Sequence, residues 1–241
     1  MVLPVYLTLA DSRRSEQYIG QLTELSTVYS LKPYGAVATG LRGQWLLLQN
    51  DLREGIPLLK RALKELHAQP HEMLNNPYHG RPIARTAVRQ QDDVVPDRAI
   101  HLEFLCDLGA GLIAMGEHQE ALTLTINAID VQGRGGKFLY MPALFRMKGL
   151  ILASRSAEDY FEAKGSLMSA IDWAKRQSAT LFELKAATDL AELLLKQGRM
   201  AEADKHLSAA HDRTPAGIVS PAHKRALQIL DQLQSGSEVV G

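Results

Sequence analysis

Leu184, Ala187, Ala191 and Leu194 recur at intervals of three and four, and Ala203, Leu207 and Ala210 do so again after a short gap. Apolar residues at that spacing share one face of an α-helix. Residues 181–210 therefore predict two antiparallel helices joined by a tight turn at Gln197-Gly198-Arg199. Gly198 is placed to end the first helix in the left-handed conformation. Thr180 and Glu183 have the spacing of a capping box at its start. Ala191, Ala203 and Ala210 are small, which lets neighbouring helices approach closely, while Leu207 is large. The order small, small, large, small returns at Gly43, Gly55, Leu59 and Ala62, and at Gly149, Ala163, Leu167 and Ala170 with two extra residues in the turn. Gly109, Ala121 and Ala128 hold equivalent places in a further unit. Such self-similarity predicts an all-α array of stacked helix hairpins, four to five pairs with a capping helix at the C-terminal end.

Taken in order, the pattern divides a single domain, 1–241, as follows. Residues 1–32 read as a partial repeat, with helices over 3–10 and 15–31. Residues 34–66 are the first full hairpin, turning at Asn50-Asp51, with Pro57 in the first turns of its second helix, where a missing donor costs little. Residues 67–96 contain Pro70, Pro77, Pro82 and Pro96 and read as an insertion, helical at most over 83–91. Hairpins follow over 97–131, 139–177 and 180–212, with 132–137 as a glycine-rich connector and Ser156 and Asp159 as a cap. Ser220-Pro221 opens a last helix, 220–234, as N-cap and first helical residue, presenting Ala226, Leu227, Leu230 and Leu233 to the stack. Residues 235–241 are expected to be a disordered tail.

Lys plus Arg and Asp plus Glu are 27 each, so the chain has no bulk positive charge with which to hold nucleic acid. No apolar run approaches the length of a membrane span, and the start MVLPVYLTLA lacks the basic region of an export signal. The one cysteine, Cys106, excludes an internal disulfide and suits a reducing compartment, so a cytoplasmic location is expected.

Candidate chemistry is sparse. Residues 132–138, QGRGGKF, fail the phosphate-loop pattern because Val131 and Phe138 stand where glycine and Ser/Thr are needed. His67 and His71 are one helical turn apart, yet only Glu72 is near them and no metal site is read. His101, His118, His206, His211 and His223 are scattered over expected surfaces and turns. Asp92-Asp93 reads as a solvated turn. Trp45, Trp173 and Phe182 read as packing between hairpins rather than an aromatic cage. No catalytic residue, cofactor or metal is assigned.

Counting from the small residue of each first helix gives the positions that line the concave face of a stack. These are Gln44, then Glu103 and Cys106, then Arg146, then Lys185, Asp189 and Glu192. Arg146 and Lys185 could hold a carboxylate or an acidic peptide. Asp189 lies one turn from Lys185, so an internal ion pair could consume that charge.

The stretch AIDWAKRQSATLFELKAATDLAELLLKQGRMAEA and the tail SPAHKRALQILDQL resemble the C-terminal tetratricopeptide-like (TPR) region of large bacterial signalling ATPases. Shorter matches are GLRGQWLLLQNDLREGIPLLKRAL and LGAGLIAMGEHQEAL. The resemblance covers roughly residues 36–66 and 100–233, and the insertion has no counterpart in it. It implies a TPR-like superhelix acting as a sensor arm behind a switch ATPase, itself coupled to a nucleotide cyclase or a winged-helix DNA-binding domain. None of those domains is in this chain, so a piece of a longer protein and a free-standing relic acting in trans are both open. The resulting expectation is a non-catalytic module that binds a protein, peptide or small signal and regulates an ATPase or transcription factor. An adaptor that self-associates is the alternative, and a hydrolase using an insertion carboxylate or histidine is the third reading.

Overall fold

The computed structural model describes residues 12–68, 99–135, 138–215 and 220–238. These residues are helical and contain no strand. The chain divides into two compact units, Met1–Met115 and Gly116–Gly241.

The first unit holds α1 (Ser12–Val28), α2 (Lys32–Leu48), α3 (Leu52–Ala68) and α4 (Ala99–Ala114). Each packs on the next, and α2 also packs on α4. The two glycines of the repeat signature explain how α2 and α3 meet. A Cβ on Gly43 would lie 2.9 Å from the carbonyl oxygen of Gly55, and a Cβ on Gly55 would lie 2.9 Å from that of Gly43. The helices therefore touch backbone to backbone, and Leu59 and Ala62 fill the crossing, fully buried. Gly40 makes room in the same way for the ring of Phe104, which is wholly enclosed.

The second unit holds α5 (His118–Arg134), α6 (Met141–Arg155), α7 (Tyr160–Arg176), α8 (Thr180–Leu195), α9 (Met200–Asp212) and α10 (Pro221–Glu238). Consecutive helices pack together, and α6 packs on α8 and α8 on α10. Contact between the first helix of one hairpin and the first helix of the next is what stacked hairpins produce. Ala163, Leu167, Ala170, Ala191, Ala203, Leu207 and Ala210 are all buried. The two extra residues of the middle hairpin are absorbed in a short 3-10 turn, Ala157–Asp159.

Helix ends share one device. Ser30, Asn50, Ser178 and Gly198 have positive φ, and the amide that follows each reaches back five residues. Leu31 N–H donates to Ser26 O (2.8 Å), Asp51 to Leu46 O (2.9 Å), Ala179 to Ala174 O (2.9 Å) and Arg199 to Leu194 O (3.0 Å). This is the Schellman closure expected at Gly198, here made three times without glycine.

Several local expectations are corrected. Thr180 and Glu183 do not form a capping box: Thr180 is the first helical residue, the N-cap is Ala179, and the buried Glu183 carboxylate accepts from Arg213 instead. Ser156 does accept from Glu158 N–H at 3.1 Å, but Asp159 faces back to Arg155 in a paired ion bridge. Pro57 stands at the sixth residue of α3, beyond the donors that a helix start leaves unbonded, so it removes a ladder bond. The expected connector 132–137 is helical as far as Arg134 and buries Gln132. Ser220 caps α10 through His223 N–H at 3.2 Å, but the helix runs on to Glu238 and buries Ile229 while leaving Leu227 exposed. His101, expected on the surface, is buried. The expected helix over 3–10, the insertion from 69 onward with His71, His79 and Asp92-Asp93, and the last three residues lie outside the described residues.

Candidate binding cleft

The expected groove residues fall into both units. In the first, the buried amide of Gln44 on α2 donates to the Asp107 carboxylate on α4. Glu103 and Cys106, also on α4, are half-buried. Asp107 was not singled out from sequence, although it sits one turn beyond Glu103.

In the second unit α6, α8 and α10 bring the remaining candidates together. Lys185, Thr188, Asp189 and Glu192 follow intervals of three and four on α8, so they share one face. Arg146 comes from α6 and Arg225 from α10. The Asp189 carboxylate is buried between the two arginines: Arg146 Nε donates to Oδ2, and Arg225 Nη1 donates to Oδ1 at 3.2 Å. Arg225 also grips Glu192 with two donors, Nε at 2.6 Å and Nη2. Asp189 thus pairs across helices, with Arg146 and Arg225. Burial pushes the Asp189 carboxyl above the ordinary carboxylate range, against the opposing pull of Arg146 and then Arg225.

Two clefts open beside this network. One of about 250 Å³ is lined by Arg146, Lys185, Thr188, Pro221, Ala222 and Arg225, so three cationic side chains converge where α10 begins. The other, about 500 Å³, is lined by Leu195 and Ile229 together with the polar Glu192, Lys196, Gln228 and Gln232. Arg225 lines both. Sequence reasoning missed Arg225 because it read α10 only for its apolar face. The available signal was its place four residues before the buried Ile229, which puts it beside that face.

The aromatic residues pack rather than cage. Arg42 lies 4.9 Å over the ring of Trp45. Trp173 stacks on Phe138 at 5.1 Å with Arg176 at 5.3 Å, and Phe182 meets Tyr140 edge-on at 6.5 Å. His211 and His223 come together at 5.2 Å between ring centres. Among the described residues no group of three or more His, Cys, Asp or Glu is placed to hold a metal ion, and no helix is long and apolar enough to cross a membrane.

Hairpins that stack through small residues, with α6 touching α8 and α8 touching α10 in the second unit, define an all-helical TPR-like repeat fold. Solved structures agree. A Podosopora anserina protein described as a kinesin light chain with nearly identical TPR-like repeats superposes with a TM-score of 0.54 at 13% identity, over 88% of this chain and 91% of its own. BtubC (BKLC) from P. vanneervenii superposes with a TM-score of 0.57 at 12% identity, over 100% of this chain and 92% of its own. Identities this low speak for the fold. No family model matches the chain, and no curated protein matches it.

Proposed function

We propose that the chain is a non-catalytic binding module that takes an acidic segment of a protein or peptide into the cleft between α6, α8 and α10. The observation that carries this reading is the convergence of Arg146, Lys185 and Arg225 on one cleft at the start of α10. Arginine forks and a helix start both favour a carboxylate. Asp189 and Glu192 already occupy the arginines, so a ligand carboxylate would exchange one ion pair for another. The net gain is then small, and affinity for a short peptide should be about micromolar or weaker.

The test is fluorescence polarisation with labelled oligo-glutamate and oligo-lysine peptides over a salt series. The glutamate peptide should bind better, lose affinity with salt, and lose at least about fivefold on Lys185→Gln at unchanged helical circular dichroism. Equal binding of the two peptides overturns the reading.

The resemblance over residues 160–233 supports a wider context, in which the module regulates a signalling ATPase, cyclase or DNA-binding regulator in cis or in trans. The intact mass of the natural product tests it. A polypeptide well above 26.6 kDa that carries an ATPase would support regulation in cis. A product of that mass with no ATPase partner would count against both forms.

A further inference from the structure

The two clefts between α8 and α10 are successive stretches of one furrow. On α8 the lining advances from Lys185 in the first to Lys196 in the second, on α10 from Ala222 to Gln232, and Arg225 belongs to both. Lys185 and Lys196 are eleven residues apart, which is very nearly three helical turns, so both side chains leave α8 on the same side. At 1.5 Å per residue their backbones stand about 16 Å apart along the helix.

Charge along the furrow is uneven. At one end Arg146, Lys185 and Arg225 converge. In the middle Arg225 holds Glu192 with two donors. The exposed side of α10 is polar, with Lys224, Gln228, Asp231 and Gln232, and of these Gln228 and Gln232 line the second cleft with neutral amides. At the far end stands Lys196, which is exposed. The nearest carboxylate along its own helix, that of Glu192, is taken by Arg225, and Lys196 has no ion-pair partner among the described residues.

We propose that the segment this furrow takes is extended and carries two acidic residues five positions apart, one held where Arg146, Lys185 and Arg225 meet and the other by Lys196. The inference rests on the binding reading of the first cleft and adds a second anchor to it. An extended chain advances about 3.3 Å per residue, so about 16 Å is spanned by five residues. An α-helix is about 10 Å across with its side chains and over that length fills more than about 1,000 Å³, beyond clefts of about 250 and 500 Å³. The four residues between the anchors pass Gln228 and Gln232. Each amide both donates and accepts, so it can bond the main chain of any sequence. The furrow thus reads the spacing of two charges and little of what lies between them.

The test uses Gly/Ser peptides of equal length bearing two glutamates separated by two, five, eight or eleven positions. They are titrated at low salt into the isotope-labelled 241-residue chain and followed by NMR, which reads millimolar affinities. The spacing of five should bind about two- to fivefold more tightly than the others, the worth of one solvent-exposed ion pair. Lys196→Gln should bring that peptide level with the rest, at unchanged circular dichroism because the side chain is exposed. A merely structural role for Lys196 would weaken all spacings alike. Lys224→Gln, at an exposed lysine of α10 that lines neither cleft, should leave the ranking as it is. Equal affinities across the spacings overturn the inference while the first cleft keeps its reading, and so does an advantage at five that persists in Lys196→Gln. Best binding at eleven would mean a helical ligand, which overturns the extended one. Failure of every glutamate peptide to bind overturns the reading of the first cleft, and this inference with it.

Discussion

Replacing Gly43 by alanine should destabilise the first unit, even though alanine is the better helix former. In an unconstrained helix the change is worth about 1 kcal/mol in favour of alanine. At Gly43 the new methyl would sit 2.9 Å from the Gly55 carbonyl oxygen, 2.9 Å from Leu59 Cγ and 3.1 Å from Leu59 N. Ordinary contact begins near 3.4 Å, so the facing helix must retreat by about half an ångström. Two of the three atoms are backbone, and no side-chain rotation relieves them. Retreat also loosens Leu59 and Ala62, which have no exposure to lose. Overpacking of this kind costs about 1–3 kcal/mol, and with backbone in contact the upper part of that range applies. After the propensity gain the net loss is about 1–2 kcal/mol. Gly20→Ala in α1 is the matched control: nothing lies within 4 Å of its Cβ, so it should gain about 0.5–1 kcal/mol. Urea unfolding followed by helical circular dichroism compares the two in one unit. The Gly43 midpoint should fall by up to about 1 M and the Gly20 midpoint should rise. If Gly43→Ala matches or exceeds the parent while Gly20→Ala behaves as stated, the backbone-contact argument is wrong.

Two further predictions follow from the caps and the titrating groups. Ser220→Ala should cost about 1 kcal/mol, because its hydroxyl caps α10, whereas Thr180→Ala, which caps nothing, should stay within about 0.5 kcal/mol; equal losses in thermal unfolding would refute the corrected reading of α8. Burial, then Lys175, Lys205 and Lys164, depress the His206 pKa against the pull of Glu202. The stability it contributes is therefore present above the unfolded value of about 6.5 and is lost as pH falls through the folded one. Asp189, raised by burial, acts with the opposite sign, gaining stability on acidification, so the informative quantity is a difference. Between about pH 7 and 5 the parent should lose more stability than His206→Asn, and parallel curves would refute the assignment.

The all-α class and the stacked-hairpin architecture were legible because they rest on periodicity and on small residues, both local signals. Gly43, Gly55 and Ala203 declare a close approach without naming the partner, and the repeat supplies the partner. Asn50 and Gly198 declared their turns through left-handed preference. Ser30 and Ser178 did not, because serine carries no such signal and only the returning amide shows the conformation. The capping box misled because the carboxylate of Glu183 had a stronger use in tertiary structure than in its own helix. The cleft was half legible. Counting placed Arg146, Asp189 and Glu192 on one face, but nothing along the chain says that Arg225, dozens of residues away, completes their network. Pairing between distant charges is decided by how helices cross, and sequence order does not carry it.

The polar outer face of α10 bears on how the second unit behaves in concentrated solution. A polar face on the outermost helix of a stack is what keeps it from joining other copies. In the second unit α10 supplies one with Lys224, Gln228, Asp231 and Gln232, all exposed. A substitution that made this face greasy, such as Gln228→Leu with Asp231→Leu, would open an apolar patch there, and aggregation that rises with concentration would be the sign of it.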